Sequence, residues 1–480
     1  MQEVIVIGSG MGSLSAAAML AEKGLKPLIL EQNWIPGGCT TSYPRKGFVF
    51  EAGATTLVGL DEHMPLRYLL DQTGIELKTR KLDLPMQVHM PNGAVVNRFE
   101  KLEEWIKESE KHFGGDQQEF WRKAYGISQF VWNASTKYLH FPPSKPKDFW
   151  QLAKNAAPSD LLNARYALKS TDSFLNQSKL NSPDFRRFIN EQLLITAQNH
   201  SEEVNFLFGA AALCYTNYGN YYIDGGLSNL VTPIVEYIEK QGGAIQYREP
   251  VLNIQKTKAG YTVKSKTRTY ETKYLVSGIP FNNLIDIAPE IIPNKLIPSK
   301  MESKELYSAF QMGIAFKSSK QFESIHHQIH LENPLPITGS KSIFLSLSHE
   351  EDKTRSPETG VRIASISTHV KDPLHTIIDN EILEKIIIYE LERRGFLNRK
   401  DILYSHSSGP KSWNKWTGRS YGFVGGYPQY MKIKPWQMLE SRIDGLGAYQ
   451  CGDTTYPGQG IPGATLSGII ASEKMLSDWF

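Results

Sequence analysis

The chain is poor in what would hold a disulfide or a metal. Its 480 residues include three cysteines, Cys39, Cys214 and Cys451. They are too far apart for a metal-ligand motif or a disulfide framework, as expected of a reducing compartment. Charge of one sign is also missing. Lys and Arg number 53 against 50 Asp and Glu, a net +3 with no long block of like charge, so no nucleic-acid partner is expected. No apolar run reaches the ~18 residues of a spanning helix. The longest candidate, Val204 to Tyr215, reads as a core or interfacial segment. No basic segment and cleavage site precede the first strand, so no signal peptide is expected. Repeats and low-complexity tracts are absent. His326, His327 and His330 form a local histidine cluster, but neighbours on a strand point to opposite faces, so no metal site is expected. No Ser/His/Asp set, carboxylate pair or P-loop stands out, and no catalytic residue is named from the sequence.

What is present starts at the N-terminus. Glu3–Ile7 is a short apolar run, Gly8-Ser9-Gly10-Met11-Gly12-Ser13 is a glycine-rich turn, Leu14–Lys23 reads as a small-residue helix, and Lys26–Glu31 is a second apolar strand. Strand, tight turn, helix and strand suit a dinucleotide. Gly8 permits the turn, Gly10 lets the backbone approach a diphosphate, and the helix N-terminus offers free N–H groups. Glu31, about 20 residues on, suits a ribose hydroxyl pair. The third glycine of this fingerprint is replaced by Ser13, with Gly12 just before it; serine is small enough for that packing position.

The middle of the chain divides by character. Gln32–Ser42, with Pro36-Gly37-Gly38-Cys39, is a loop that again permits close backbone approach, and Phe48–Leu57 reads as a strand running into a small-residue turn. From about residue 64 to 220 the pattern turns helical and aromatic. Strands are expected near Met86–Met90 and Val95–Phe99, and helices over Leu102–His112, Gln118–Tyr138 and Phe185–Thr196, broken by the loop Phe141–Pro146. This is the pattern of an inserted helical cap. Ser228–Lys240 is a helix, and Ala244–Tyr247, Val251–Gln255, Tyr261–Lys264 and Thr269–Thr272 are short strands before the core strand Tyr274–Gly278. Leu306–Phe316, His326–His330, Ser342–Ser348 and Val361–His369 read as an antiparallel sheet, and Asn380–Arg394 as an amphipathic helix. Near the C-terminus a strand ends at Cys451. Gly452-Asp453, a Gly/Pro-rich loop and a helix from about Gly463 follow. The acid can bind a ribityl hydroxyl, and the helix start can face a flavin's electron-rich edge.

Taken together, these motifs resemble the two-dinucleotide-domain flavoproteins of the flavin amine oxidase superfamily, and within them the phytoene desaturase, carotenoid isomerase and retinol saturase group. IGSGMGSL, IPGGCTTSYPRKGFVFEAGATTL, the block from Asp224 to Ile254, SAFQMGIAF, WNKWTGRSYGFVGGYP and GAYQCGDTTYPGQGIPGATLSG carry the resemblance, which covers nearly the whole chain. PGGC-T is closer to the isomerase and saturase pattern, since bacterial desaturases usually carry Arg where this chain has Cys39.

The resemblance implies an α/β fold: a Rossmann-like FAD-binding domain (residues 1–75, 222–290 and 440–480) with an inserted antiparallel-sheet-plus-helix substrate domain (76–221 and 291–439). It implies FAD held by Gly8, Gly10, Gly12, Ser13, Glu31, Gln32, Gly38, Cys39, Thr55, Thr56, Val251, Gly452, Asp453 and Ile461. Cys39 reads as a small packing residue rather than a covalent anchor. The implied activity is an FAD-dependent oxidoreductase or isomerase working on the double bonds, or adjacent C–H bonds, of a long conjugated polyene lipid. A flavin amine oxidase, and a flavin-free prenyl-lipid carrier of the GDP-dissociation-inhibitor type, are the alternatives. An insoluble substrate implies a cytoplasmic protein bound peripherally to a membrane surface. The aromatic cap, with Lys145 and Lys147 beside Phe141 and Trp150, is the expected contact.

Overall fold

Val4 to Ile7 are all buried, so the N-terminal strand has no polar face and takes neighbours on both sides. In the computed structural model, which describes residues 2–53 and 55–480, Gln2–Ile7 pairs in parallel with Leu28–Leu30 and with Thr269–Ser277. The sheet continues on one side to Ala244–Gln246, and on the other through the meander Tyr261–Ser265 and Val251–Lys256. Ala448–Gln450 pairs in parallel with the end of Thr269–Ser277. Thr269–Ser277 is thus one strand where the sequence suggested two. Its first half belongs to the meander and its second half is held between parallel partners, so the chain enters the core without a break. Ala54, inside the expected Phe48–Leu57 segment, lies outside the described residues; the strand there is Phe48–Glu51.

The first helix runs Met11–Glu22 and starts three residues earlier than the sequence suggested. The reason is its partner, the C-terminal helix Gly460–Trp479. The two cross so closely that a Cβ on Gly468 would lie 2.1 Å from the Gly12 carbonyl oxygen, so Gly12 belongs to the helix and not to the turn. The C-terminal helix also starts early, at Gly460 rather than Gly463, because Pro462 falls in the first turn, where no N–H is needed.

A second seven-stranded sheet has the order Ile402–Ser408, Tyr307–Lys317, Val361–Lys371, Ser342–Leu347, His326–His330, Met86–His89, Val95–Arg98. It is antiparallel except where His326–His330 meets Met86–His89. The aromatic cap packs beside it. Trp105 stacks on Phe188 at 5.6 Å and meets Trp121 edge-on at 5.0 Å, and the Arg98 guanidinium lies 4.0 Å over Trp105. Most of the cap's aromatics are therefore core. Val204–Tyr215 resolves into a short buried helix, Phe206–Leu213, capped by the Asn205 side chain.

The expected loop at Phe141–Pro146 ends in a helix, Pro146–Asn155. Asp148 on it is fully buried and receives both Nη atoms of Arg442, at 2.6 and 3.0 Å. Arg442 Nε also donates to Asp478 at 2.6 Å. Lys145 and Lys147, each about a third exposed, both pair with the buried Asp478, and the Phe141 ring sits against Tyr456 at 4.9 Å. This buried ionic knot ties the cap to the end of the C-terminal helix.

Candidate functional site

The two glycine loops and the C-terminal motif meet around one cavity of about 740 Å³. Gly8 N donates to the Leu30 carbonyl at 2.8 Å, which folds the chain back at φ +81°. Glu31, at the end of the second strand, is buried. One of its oxygens accepts from Ser9 N at 2.8 Å and from the Ser9 hydroxyl at 2.5 Å, and the other from Asn33 N at 2.7 Å. The carboxylate thus shapes the glycine loop as well as facing the cavity. No side chain caps the first helix, and Gly10, Met11 and Gly12 at its N-terminus line the cavity.

The second loop lies against the first. Gly37 N donates to Ser9 O at 2.9 Å, and a Cβ on Gly38 would be 3.5 Å from Gly10 Cα. The C-terminal motif closes the third side: a Cβ on Gly12 would sit 2.7 Å from Gly452 N. Thr55 accepts from the Ser346 hydroxyl at 2.8 Å, which joins this wall to the second sheet. The C-terminal helix opens on the cavity with no side-chain cap, and Gly460, Ile461 and Gly463 line it.

Of the fourteen residues named from the sequence, thirteen line this one cavity; Ser13 lies beneath it. The Ser13 hydroxyl donates to Ile7 O at 3.2 Å, and a Cβ on Gly278 would fall 1.8 Å from it. Serine in place of the third glycine is therefore matched by a glycine on the facing strand end. Ser13 packs helix on strand and does not face the cavity. Cys39 faces the cavity, and burial pushes its thiol up despite the pull of Arg419. A thiol held protonated is a poor covalent anchor.

Sequence reasoning missed several lining residues. Arg419 bonds Asp453 at 2.7 Å and lies close enough to Cys39 to pull on its thiol. Gln311 and His369 come from the second sheet, and burial lowers His369 to about 4. Trp413 Nε1 donates to the Ala309 carbonyl at 3.0 Å and its ring edge reaches Gly53. The signals were there, in the motif around Thr417-Gly418-Arg419 and in the alternation of the sheet strands, but no local pattern places them beside residues 30–40. Beyond the glycine loops the cavity continues between Val58, Val131, Trp132, Ile195, Phe208, Ala212, Tyr215 and Phe344. That stretch is apolar and contains no lysine among the described residues. Among the described residues no three His, Cys, Asp or Glu side chains gather as a ligand set.

A family model for flavin-containing amine oxidoreductases matches residues 14–476. The prolycopene isomerase of Arabidopsis thaliana, a chloroplastic protein, is 24% identical over 99% of this chain and 83% of its own length. The all-trans-retinol 13,14-reductase of Danio rerio is 29% identical over 52% of this chain and 42% of its own length. Among solved structures, a putrescine oxidase variant superposes with a TM-score of 0.64 at 14% identity, covering 99% of both chains, which shows the shared fold.

Proposed function

Because the chain belongs to the flavin-containing amine oxidoreductase family, we propose that it is an FAD enzyme acting on carbon–carbon double bonds, or the C–H bonds beside them, of a long conjugated polyene lipid. FAD is its cofactor, and the loops around Gly8, Gly38 and Gly452 hold it without a covalent bond. Residues 1–75, 222–290 and 440–480 form the cofactor part in this reading, and 76–221 and 291–439 the substrate part. The observation that carries it is the cavity. It runs from the glycine loops into an apolar chamber that, among the described residues, holds no lysine and no carboxylate pair. Such a chamber accommodates a hydrocarbon and offers a protonated amine nothing to pair with. The relatives point the same way, one named for isomerising prolycopene and one for reducing retinol. When bound, the flavin supplies or accepts electrons. The chain's own residues orient the polyene and exclude water, and the uncapped start of the C-terminal helix at Gly460, Ile461 and Gly463 would stabilise negative charge on the reduced ring. The PGGC-T loop favours the reduced cofactor as the working form. The deciding experiment is turnover by the purified flavoprotein: polyenes should react and primary amines should not.

A polyene is delivered from a bilayer, and the cap offers the surface for it. Phe149, Trp150, Leu161, Leu162 and Leu168 are each more than half exposed. Lys154, Arg165 and Lys169 lie among them, with Lys154 Nζ 5.4 Å from the Trp150 ring centre. No helix among the described residues is long and apolar enough to cross a membrane, so this is peripheral association by an apolar face with a basic rim. The lysines expected to do this, Lys145 and Lys147, are engaged by Asp478 instead. Phe149→Ala with Trp150→Ala should weaken partition onto anionic vesicles by roughly tenfold or more, from ~1.5–3 kcal/mol per buried side chain. Unchanged co-sedimentation of the double variant would refute this face.

A further inference from the structure

We propose that Arg419 is the cation that binds the cofactor's diphosphate, delivered by a loop far from both glycine motifs. The inference rests on the FAD reading above and extends it to a residue that the glycine motifs do not contain.

Two hydrogen bonds place the guanidinium. It bonds Asp453 through both terminal nitrogens, at 2.7 and 3.3 Å, and it lies near enough to the Cys39 thiol to act on it electrostatically. Asp453 follows Gly452, whose backbone N would be 2.7 Å from a Cβ on Gly12. Cys39 follows Gly38, which packs 3.5 Å from Gly10 Cα by the same measure. Gly10 and Gly12 bracket the N-terminus of the first helix. Asp453, which anchors Arg419, and Cys39, which lies near it, are thus each one residue away from backbone that touches that helix N-terminus, where the diphosphate of a dinucleotide belongs.

The charges around the cavity call for such a group. Arg419 is the only lysine or arginine lining it among the described residues, and the carboxylates of Glu31 and Asp453 line it too. A diphosphate carries two negative charges, and helix N–H groups supply only partial positive charge. Burial alone would push the guanidinium down, but the Asp453 carboxylate more than reverses this, so Arg419 stays charged. Its planar fork suits phosphate oxygens.

The loop is built to hold it. Asn283 Nδ2 donates to Gly418 O at 2.7 Å, and Ser420 N donates back to Asn283 Oδ1 at 3.0 Å, so one side chain clamps the residues on both sides of Arg419. The Trp416 carbonyl accepts from Asn33 Nδ2 at 2.6 Å, which fastens the same loop beside Glu31. Gly418, at φ +67°, lets the chain turn into this position.

The test is FAD titration of apoprotein, read by flavin fluorescence quenching, for wild type, Arg419→Gln and Arg419→Lys, with the flavin midpoint potential and the apoprotein's melting temperature recorded for each. Removing a charged hydrogen-bond donor should weaken FAD by roughly ten- to a hundredfold in Arg419→Gln. Arg419→Lys should recover part of the loss, and the salt dependence of affinity should flatten in Arg419→Gln. The potential of the bound flavin should stay where it is in wild type. Affinity within about threefold of wild type would overturn the proposal. So would unchanged affinity with a shifted potential, which would put the charge at the ring, or loss of affinity that lysine does not rescue and that follows a fall in melting temperature. Wild-type protein that binds no FAD would instead defeat the reading beneath it.

Discussion

Taking the protein from pH 7 to pH 5 is expected to cost about 4 kcal/mol of stability through two histidines of one strand, His326 and His330, with His327 between them adding loss of the same sign. His326, His327 and His330 are at most 1% exposed. Burial lowers His326 from 6.5 to about 4 and His330 to about 3, and holds His327 well below its ordinary value. His326 Nδ1 meets the Ser346 hydroxyl at 2.8 Å, His327 Nδ1 meets His89 Nε2 at 3.2 Å, and His330 Nε2 donates to Gln328 Oε1 at 3.1 Å. The charged groups acting on them are Lys320, Arg187 and Arg394, all cationic, so no carboxylate stabilises an imidazolium there. A base whose folded pKa is lowered binds its proton first in the unfolded chain. Stability is therefore complete above about pH 6.5 and falls as pH drops toward the folded values. At pH 5 His326 and His330 each contribute about 2 kcal/mol of loss, and His327 shifts stability in the same direction. The carboxylates add to this only lower down: Asp148 and Asp478 are held below the usual carboxylate range, so what they contribute is kept above about pH 4 and lost beneath it. Urea midpoints between pH 7.5 and 5 measure the effect. A flat profile would refute it, and His326→Gln should make the slope shallower.

Arg442→Met should destabilise the protein by about 3–5 kcal/mol, the cost of breaking a buried ion pair from one side. Arg442 is 4% exposed, and it holds Asp148 and Asp478 together with four hydrogen bonds of 2.6–3.1 Å. Lys474, also buried, approaches the same knot, giving its ammonium to Glu440 at 2.9 Å and to the Pro142 carbonyl at 2.7 Å. In the variant two carboxylates stay out of water with less positive charge between them. Asp148 keeps His140 and the Ser144 and Lys145 N–H groups, and Asp478 keeps two lysines and the Tyr449 hydroxyl, so the cost is bounded. Pairing the change with Asp478→Asn should cost less than the sum of the two, because the second substitution removes a charge that the first left exposed to repulsion. Protease cleavage between residues 140 and 170 reads the local effect. Cleavage no faster than wild type, with an unchanged unfolding midpoint, would contradict the assignment.

Both effects depend on pairings distant in the chain, and this marks what was legible in the sequence. The N-terminal strand, turn and helix were readable because their rules are local, and Glu31 lies close enough to the turn to be counted from it. The same holds for Gly452-Asp453. Ser13 was correctly seen as a packing residue by its size, but its grouping with the cofactor residues followed the motif and not the space: only Gly278, some 265 residues on, leaves room for its hydroxyl. The helix Pro146–Asn155 was missed because Pro-Pro-Ser-Lys-Pro reads as loop. Pro146 is instead the first residue of a helix, with Asp148 accepting from the Lys145 N–H at 3.0 Å to close its first turn. Arg419 carries no local signal of its destination. It comes near Cys39 because the parallel pairing of Gln2–Ile7 with Thr269–Ser277, and of Thr269–Ser277 with Ala448–Gln450, brings the C-terminal motif beside the first glycine loop, and strand pairing across the whole chain is what a motif search does not see.

The central claim is that bound FAD works on a conjugated polyene, with the reduced cofactor as the working form. Its most direct measurement is anaerobic incubation of the purified flavoprotein with candidate polyenes and with primary amines, once with the flavin oxidised and once after reduction by dithionite, followed by mass and absorption analysis of the extract. The predicted result is a polyene product of unchanged mass, or two hydrogens heavier, formed only with the reduced cofactor, and no aldehyde from any amine. A polyene product two hydrogens lighter, formed with the oxidised cofactor, would contradict the direction, and oxidation of an amine with every polyene left intact would contradict the claim itself.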